Sequence, residues 1–147
     1  MRNSCLKIKR FDKTVALPSY EKRKYRPSCF DFVIRENIVI APKTIGMVKL
    51  NVAVKVPEGY ALILYPRSST PLRKGLIAPH SVGICDSFYC GENDEYIYEF
   101  YNITNNDVEI KKGEMLVQGM LIKTEEVEFE EVEKMIEDGA GGYMTEK

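Results

Sequence analysis

An all-β fold, an antiparallel barrel or jelly roll of short strands, is what this 147-residue sequence predicts. Three features carry that expectation. Apolar residues recur with a period of two, proline and glycine punctuate the runs, and the composition is that of a globular domain, 44% hydrophobic and 29% charged. At this length one domain can bury a core without disulfide or metal staples. The four cysteines (Cys5, Cys29, Cys85, Cys90) form no CxxC pair and, with the one histidine, His80, give no zinc spacing. A reduced, cytoplasmic protein is expected. No apolar run approaches the roughly 18 residues of a membrane span, and the N-terminus lacks the apolar stretch of a secretory signal.

The elements follow in order. Residues 29–34 and 37–41 are the first strand candidates. The clearest is 48–56, where Val48, Leu50, Val52, Val54 and Val56 alternate with Lys49, Asn51, Ala53 and Lys55, the pattern of a half-buried strand. Pro57-Glu58-Gly59 reads as a tight turn. A strand over 60–65 follows, stopped by Pro66, and then strands over 95–103 and 115–123, the last preceded by a turn at Lys111-Lys112-Gly113-Glu114. Beyond these, Phe129, Val132, Met135 and Ile136 stand at helical spacing, while a strand from Val127 followed by a helical turn fits equally well. Gly139, Gly141 and Gly142 then open a flexible tail. The expected organisation is a single β domain over 1–138 and a tail over 139–147.

Charge is unevenly spread. Residues 1–26 carry nine Lys/Arg against two Asp/Glu, and residues 124–147 carry nine Asp/Glu against two Lys. Aromatics in the basic segment are too scattered for a base-stacking platform. The ends are therefore expected to lie near each other, within or between subunits, rather than to bind nucleic acid.

Polar residues interrupt the apolar pattern at three places. Pro66-Arg67-Ser68-Ser69-Thr70 offers a planar guanidinium and hydroxyls suited to phosphate oxygens, although such a run is also an ordinary solvated turn. The stretch from Gly83 to Gly91 sets Asp86 three residues before Tyr89, which reads either as a carboxylate beside a ring in a pocket or as a plain β-turn. Val117-Gln118-Gly119-Met120 puts an amide and a glycine inside an apolar strand, marking a close approach of another backbone or a ligand, or else a bulge.

Together these loops resemble the homotrimeric deoxyuridine triphosphatases (dUTPases). Cys29-Phe30-Asp31-Phe32 resembles the family's first motif, Arg67-Ser68-Ser69 the second, Gly83 to Gly91 the third, Val117-Gln118-Gly119 the fourth, and Gly141-Gly142-Tyr143 part of the fifth. The resemblance spans roughly 27–147 and implies hydrolysis of dUTP to dUMP and pyrophosphate. It implies that Asp86 activates the water that attacks the α-phosphorus, and that Tyr89 lies under the deoxyribose and leaves no room for a 2′-hydroxyl. Backbone between His80 and Asp86, Gly83 and Ile84 included, would meet the uracil edge. Arg67, Ser68, Ser69 and Gln118 would hold phosphate oxygens, Asp31 would support the nearby metal–water shell or charge network, and Tyr143 would stack over the uracil as the tail closes. The implied cofactor is Mg²⁺, held through substrate phosphates and water with no protein metal ligand. The implied assembly is a homotrimer.

This chain departs from the family's pattern at named positions. Cys29 replaces a glycine, Phe88 an acid, His80 an asparagine, and Ala140 the arginine that precedes the tail glycines. Without that guanidinium the tail is expected to clamp phosphate less firmly. Two alternatives share the fold. A dCTP deaminase would use Glu99, which with Asn102 fits a Glu-x-x-Asn pattern. A non-catalytic nucleotide-binding relative would have lost its lid.

Overall fold

A computed structural model describes residues 5–135. All five apolar residues of the alternating run are buried, from Val48 to Val56. The run is nevertheless two strands, β4 (Ile45–Lys49) and β5 (Val52–Lys55), each in a different sheet. The break falls at Asn51, whose φ of 68° turns the chain; asparagine tolerates this left-handed region better than most residues. Its side chain is fully buried rather than solvent-facing. Asn51 Oδ1 accepts the Asp12 amide at 2.7 Å, and Nδ2 donates to the Asp12 carbonyl at 3.0 Å. A buried amide satisfied on both sides makes a corner that carries the core from one sheet to the next.

The remaining elements are β1 (Lys7–Arg10), β2 (Phe30–Phe32), β3 (Ile38–Ile40), β6 (Tyr60–Pro66), α1 (Thr70–Lys74), β7 (Leu76–Ile77), β8 (Gly83–Cys85), β9 (Ile97–Asn102), β10 (Val108–Ile110) and β11 (Val117–Lys123). Every paired strand is antiparallel, in sheets ordered β1-β5, β3-β10, β2-β11-β6-β8 and β4-β9-β7. Their inward faces share one core that includes Phe32, Leu62, Leu64, Tyr96, Tyr98 and Phe100. The all-β expectation is met. The pattern did not signal β1, β7, β8, β10 or α1, because two to five residues are too few to display a period.

Gly119 belongs to neither alternative that its sequence raised. The ladder from Val117 to Lys123 runs against β6 without a bulge. A Cβ at Gly119 would meet Phe32 Cε2 at 2.6 Å, so the close approach is that of a core side chain.

Past Lys123 the described chain is irregular, and neither a helix nor a strand forms over 127–135. Phe129 is 96% exposed and Met135 79% exposed. With nothing among the described residues to pack on, a short element gains too little to offset its ordering entropy. Ile136 and the tail 139–147, Tyr143 included, lie outside the described residues. Among the described residues no ion pair joins the two charged ends. The basic segment pairs instead through Lys9 with Glu92 and Arg23 with Glu21, and its Asp12 pairs with Lys112.

Candidate functional site

The four-stranded sheet carries a cleft at each outer strand. Along one edge, β8 pairs with β6 only, which leaves its other backbone edge open. Gly83 faces Leu64 in that ladder, and a Cβ there would sit 3.2 Å from Leu64 Cβ. Ile84 points outward and is exposed. The chain then turns at Asp86–Tyr89, the Tyr89 amide donating to the Asp86 carbonyl at 3.3 Å. Lys55 Nζ fixes this turn by donating to the Ser87 carbonyl at 3.2 Å.

That turn does two things. It lays the Tyr89 ring parallel to Tyr96, with centroids 5.9 Å apart and planes 17° apart, and the Tyr89 hydroxyl donates to the Glu95 carbonyl at 3.4 Å. It also leaves the Asp86 side chain exposed at the mouth. The cleft measures about 360 Å³ and is lined by His80, Gly83, Ile84, Asp86 and Tyr89 over a floor of Leu64, Cys85, Tyr96 and Tyr98. Burial pushes the Cys85 thiol up to about 11 and the Tyr98 phenol up to about 12, so both stay neutral and the floor is uncharged. Cys85 packs with the core beneath the cleft. His80 Nδ1 lies 2.9 Å from the Val82 carbonyl, and its ring packs 5.9 Å from Tyr98. Glu99 does not line the cleft; its carboxylate stands 4.0 Å from His80 Nε2.

The second cleft, about 320 Å³, opens at the β2 side and collects Asp31, Arg67, Ser68, Ser69 and Gln118. Strand pairing sets Gln118 opposite both Asp31 and Tyr65. Arg67 follows the end of β6, and the Leu116 carbonyl holds its loop by accepting from the Arg67 amide at 2.9 Å and from Thr70 Oγ1 at 2.9 Å. Pro71 inside the first turn and left-handed Gly75 at the end confine α1 to five residues. Asp31, nearly buried, pairs through Oδ1 with Arg67 Nε at 3.1 Å. Burial raises the Asp31 pKa, Arg67 pulls it back down, and Glu21 nearby raises it. Gln118 Nε2 donates to the Pro66 carbonyl at 3.2 Å.

The structure thus brings the expected residues together in two groups, not one. Asp86, Tyr89, His80, Gly83 and Ile84 share the first cleft, while Asp31, Arg67, Ser68, Ser69 and Gln118 share the second. The two clefts have no lining residue in common, and β11 and β6 stand between the outer strands. Sequence reasoning missed Tyr96 and Tyr98 as the floor of the first cleft. Their alternation with Phe100 was visible, but nothing local said which face meets Tyr89. It also missed Glu21, Arg23 and Tyr25 at the second cleft, where the density of basic residues was the available signal.

Among the described residues no three His, Cys, Asp or Glu side chains gather around a common point. Asp31 is already paired with Arg67. The side-chain oxygens at the second cleft, from Asp31, Ser68, Ser69 and Gln118, are hard donors of the kind that suit Mg²⁺ and its water ligands.

The family model for dUTPase matches residues 17–144. The chain is 33% identical to the SPbeta prophage-derived deoxyuridine 5'-triphosphate nucleotidohydrolase of Bacillus subtilis, over 77% of this chain and 79% of that one. It is 29% identical to the deoxyuridine 5'-triphosphate nucleotidohydrolase of Helicobacter pylori, covering 94% of this chain and 93% of the other. Among solved structures it resembles the dUTPase of Streptococcus mutans, with a TM-score of 0.73 and 26% identity over 83% of this chain and 98% of that one. The fold also matches the Staphylococcus bacteriophage 80alpha dUTPase with dUPNHPP, with a TM-score of 0.81 and 22% identity over 96% and 97% of the two chains.

Proposed function

The chain belongs to the dUTPase family, and from that premise we propose that it hydrolyses dUTP to dUMP and pyrophosphate at a site made from both clefts. The observation that carries this reading is the exposed Asp86 carboxylate at the mouth of a cleft floored by uncharged aromatic rings. In this reading the open edge of β8 pairs with the uracil, near His80, Gly83 and Ile84. The deoxyribose lies on Tyr89, whose ring is held flat by Tyr96. Asp86 hydrogen-bonds a water and takes its proton as the water oxygen bonds to the α-phosphorus. The bond from that phosphorus to its bridging oxygen breaks, and pyrophosphate leaves. Arg67, Ser68, Ser69 and Gln118 hold phosphate oxygens, with the Arg67 fork fixed by Asp31. Mg²⁺ would be held through substrate phosphates and water, beside Arg67, Ser68, Ser69 and Gln118, and would supply positive charge against the triphosphate.

The separation of the clefts supports a closed homotrimer, in which the first cleft of one copy faces the second cleft of another. Residues 139–147 form the lid in this reading, with Tyr143 stacking over the uracil. The protein acts in the cytoplasm.

Turnover of dUTP with and without Mg²⁺, followed by pyrophosphate release, tests the reading. Asp86→Asn keeps the shape and removes the base, so turnover should fall by about two orders of magnitude or more. Near-normal turnover in that variant rules out the role given to Asp86.

A further inference from the structure

We propose that Arg23 grips the terminal phosphates of the nucleotide as a second guanidinium beside Arg67. The inference rests on the phosphate reading of the second cleft and adds a residue to it.

Three observations place this second guanidinium at the cleft. First, the loop over 20–28 is anchored at the site. Ser19 and Asp31 exchange two backbone hydrogen bonds, at 2.9 and 3.1 Å, and the Tyr20 ring meets Phe30 edge-on at 5.6 Å. The loop leaves the bridge at Ser19 and rejoins the chain at Phe30 of β2, so both of its ends are fixed beside Asp31. Second, Arg23 lines the same cleft as Arg67, Ser68 and Gln118. Third, the partner of Arg23 is Glu21, with Nη2 to Oε2 at 2.9 Å and side chains 64% and 46% exposed. A solvent-exposed pair of this kind contributes little, so a phosphate displaces the carboxylate at small cost. A triphosphate also carries more charge and more acceptor oxygens than Glu21, and a guanidinium binds such oxygens in a two-pronged fashion. The same Glu21 raises the Asp31 pKa, which puts the Glu21–Arg23 pair within electrostatic reach of the Arg67–Asp31 pair.

The ligand class follows from this arrangement. Arg23 adds a second planar cation to Arg67 on the polyphosphate side of the site, away from the cleft that takes the base. It should therefore act on the phosphate chain and not on the nucleoside.

The test compares the parent with Arg23→Gln and Arg23→Lys in the full chain. Loss of one charge-assisted contact should raise KM for dUTP roughly ten- to hundredfold while kcat moves much less. Arg23→Lys should fall between, because it keeps the charge and loses the fork. Inhibition by dUMP should not change. Binding of inorganic tripolyphosphate, measured by calorimetry, should weaken in parallel with KM, and it reports on Arg23 even if the parent turned over no dUTP. The inference is overturned if Arg23→Gln leaves both KM and tripolyphosphate binding unchanged, or if it weakens dUMP as much as dUTP.

Discussion

Gly119→Ala tests whether the core and the phosphate cleft are coupled through one strand. The added Cβ would stand 2.6 Å from Phe32 Cε2, with Leu62 Cδ1 and Leu64 Cδ2 at 3.4 Å. Carbon atoms in contact prefer about 3.5–4.0 Å, so Phe32 must retreat by about 1 Å. It has little room. Phe32 is fully buried, with Phe30 at 5.4 Å on one side and Tyr96 at 6.4 Å on the other. Overpacking of this kind costs about 1–3 kcal/mol, equivalent here to a Tm lower by about 3–10 °C. Urea unfolding at one fixed protomer concentration is the assay, because association would otherwise shift the apparent stability. Phe32→Leu supplies space, so the double variant should be more stable than the sum of the singles predicts, by about 1 kcal/mol. Gln118 precedes Gly119 and Asp31 precedes Phe32, so KM for dUTP should rise several-fold in Gly119→Ala. Stability within about 0.5 kcal/mol of the parent would refute the packing role of this glycine.

Three further outcomes are expected. Glu99→Gln should leave dUTP turnover nearly unchanged, since Glu99 lies outside the cleft lining; ammonia release from dCTP that disappears in this variant would instead point to deamination. Lys112 and Thr14 hold the Asp12 carboxyl well below its ordinary value of 3.8. A depressed native pKa adds stability above the unfolded value and loses it as pH falls through the native one, so Asp12→Asn should flatten the acid limb of the urea-midpoint profile, and an unaltered slope contradicts this. Light scattering at micromolar protomer should give three times the 16.8 kDa chain; the mass of a single chain contradicts the shared site.

Much of the architecture was legible in local pattern. Alternation named the inward face of 48–56, and burial of Val48, Leu50, Val52, Val54 and Val56 follows it. The short motifs around Arg67, Asp86 and Gln118 carried the family. What local pattern could not show is that the same run changes sheets. That depends on Asn51 bonding to Asp12, a residue remote in sequence, and a period of two reads identically on either side of the corner. Gly119 was conspicuous, but only the packed position of Phe32 explains it.

The sequence by itself determined which residue types are available: an acid three residues before a tyrosine, an arginine with two serines, an amide on a strand. Only the tertiary structure decided that these fall into two clefts at opposite edges of one sheet, that Tyr96 levels the Tyr89 ring, and that Arg23 joins Arg67. The reason is physical. A strand's alternation is fixed by its own backbone geometry and is written every second residue. Which edges meet, and which loop overhangs a cleft, is fixed by hydrogen bonds and packing between segments far apart in the chain, and these have no local signature.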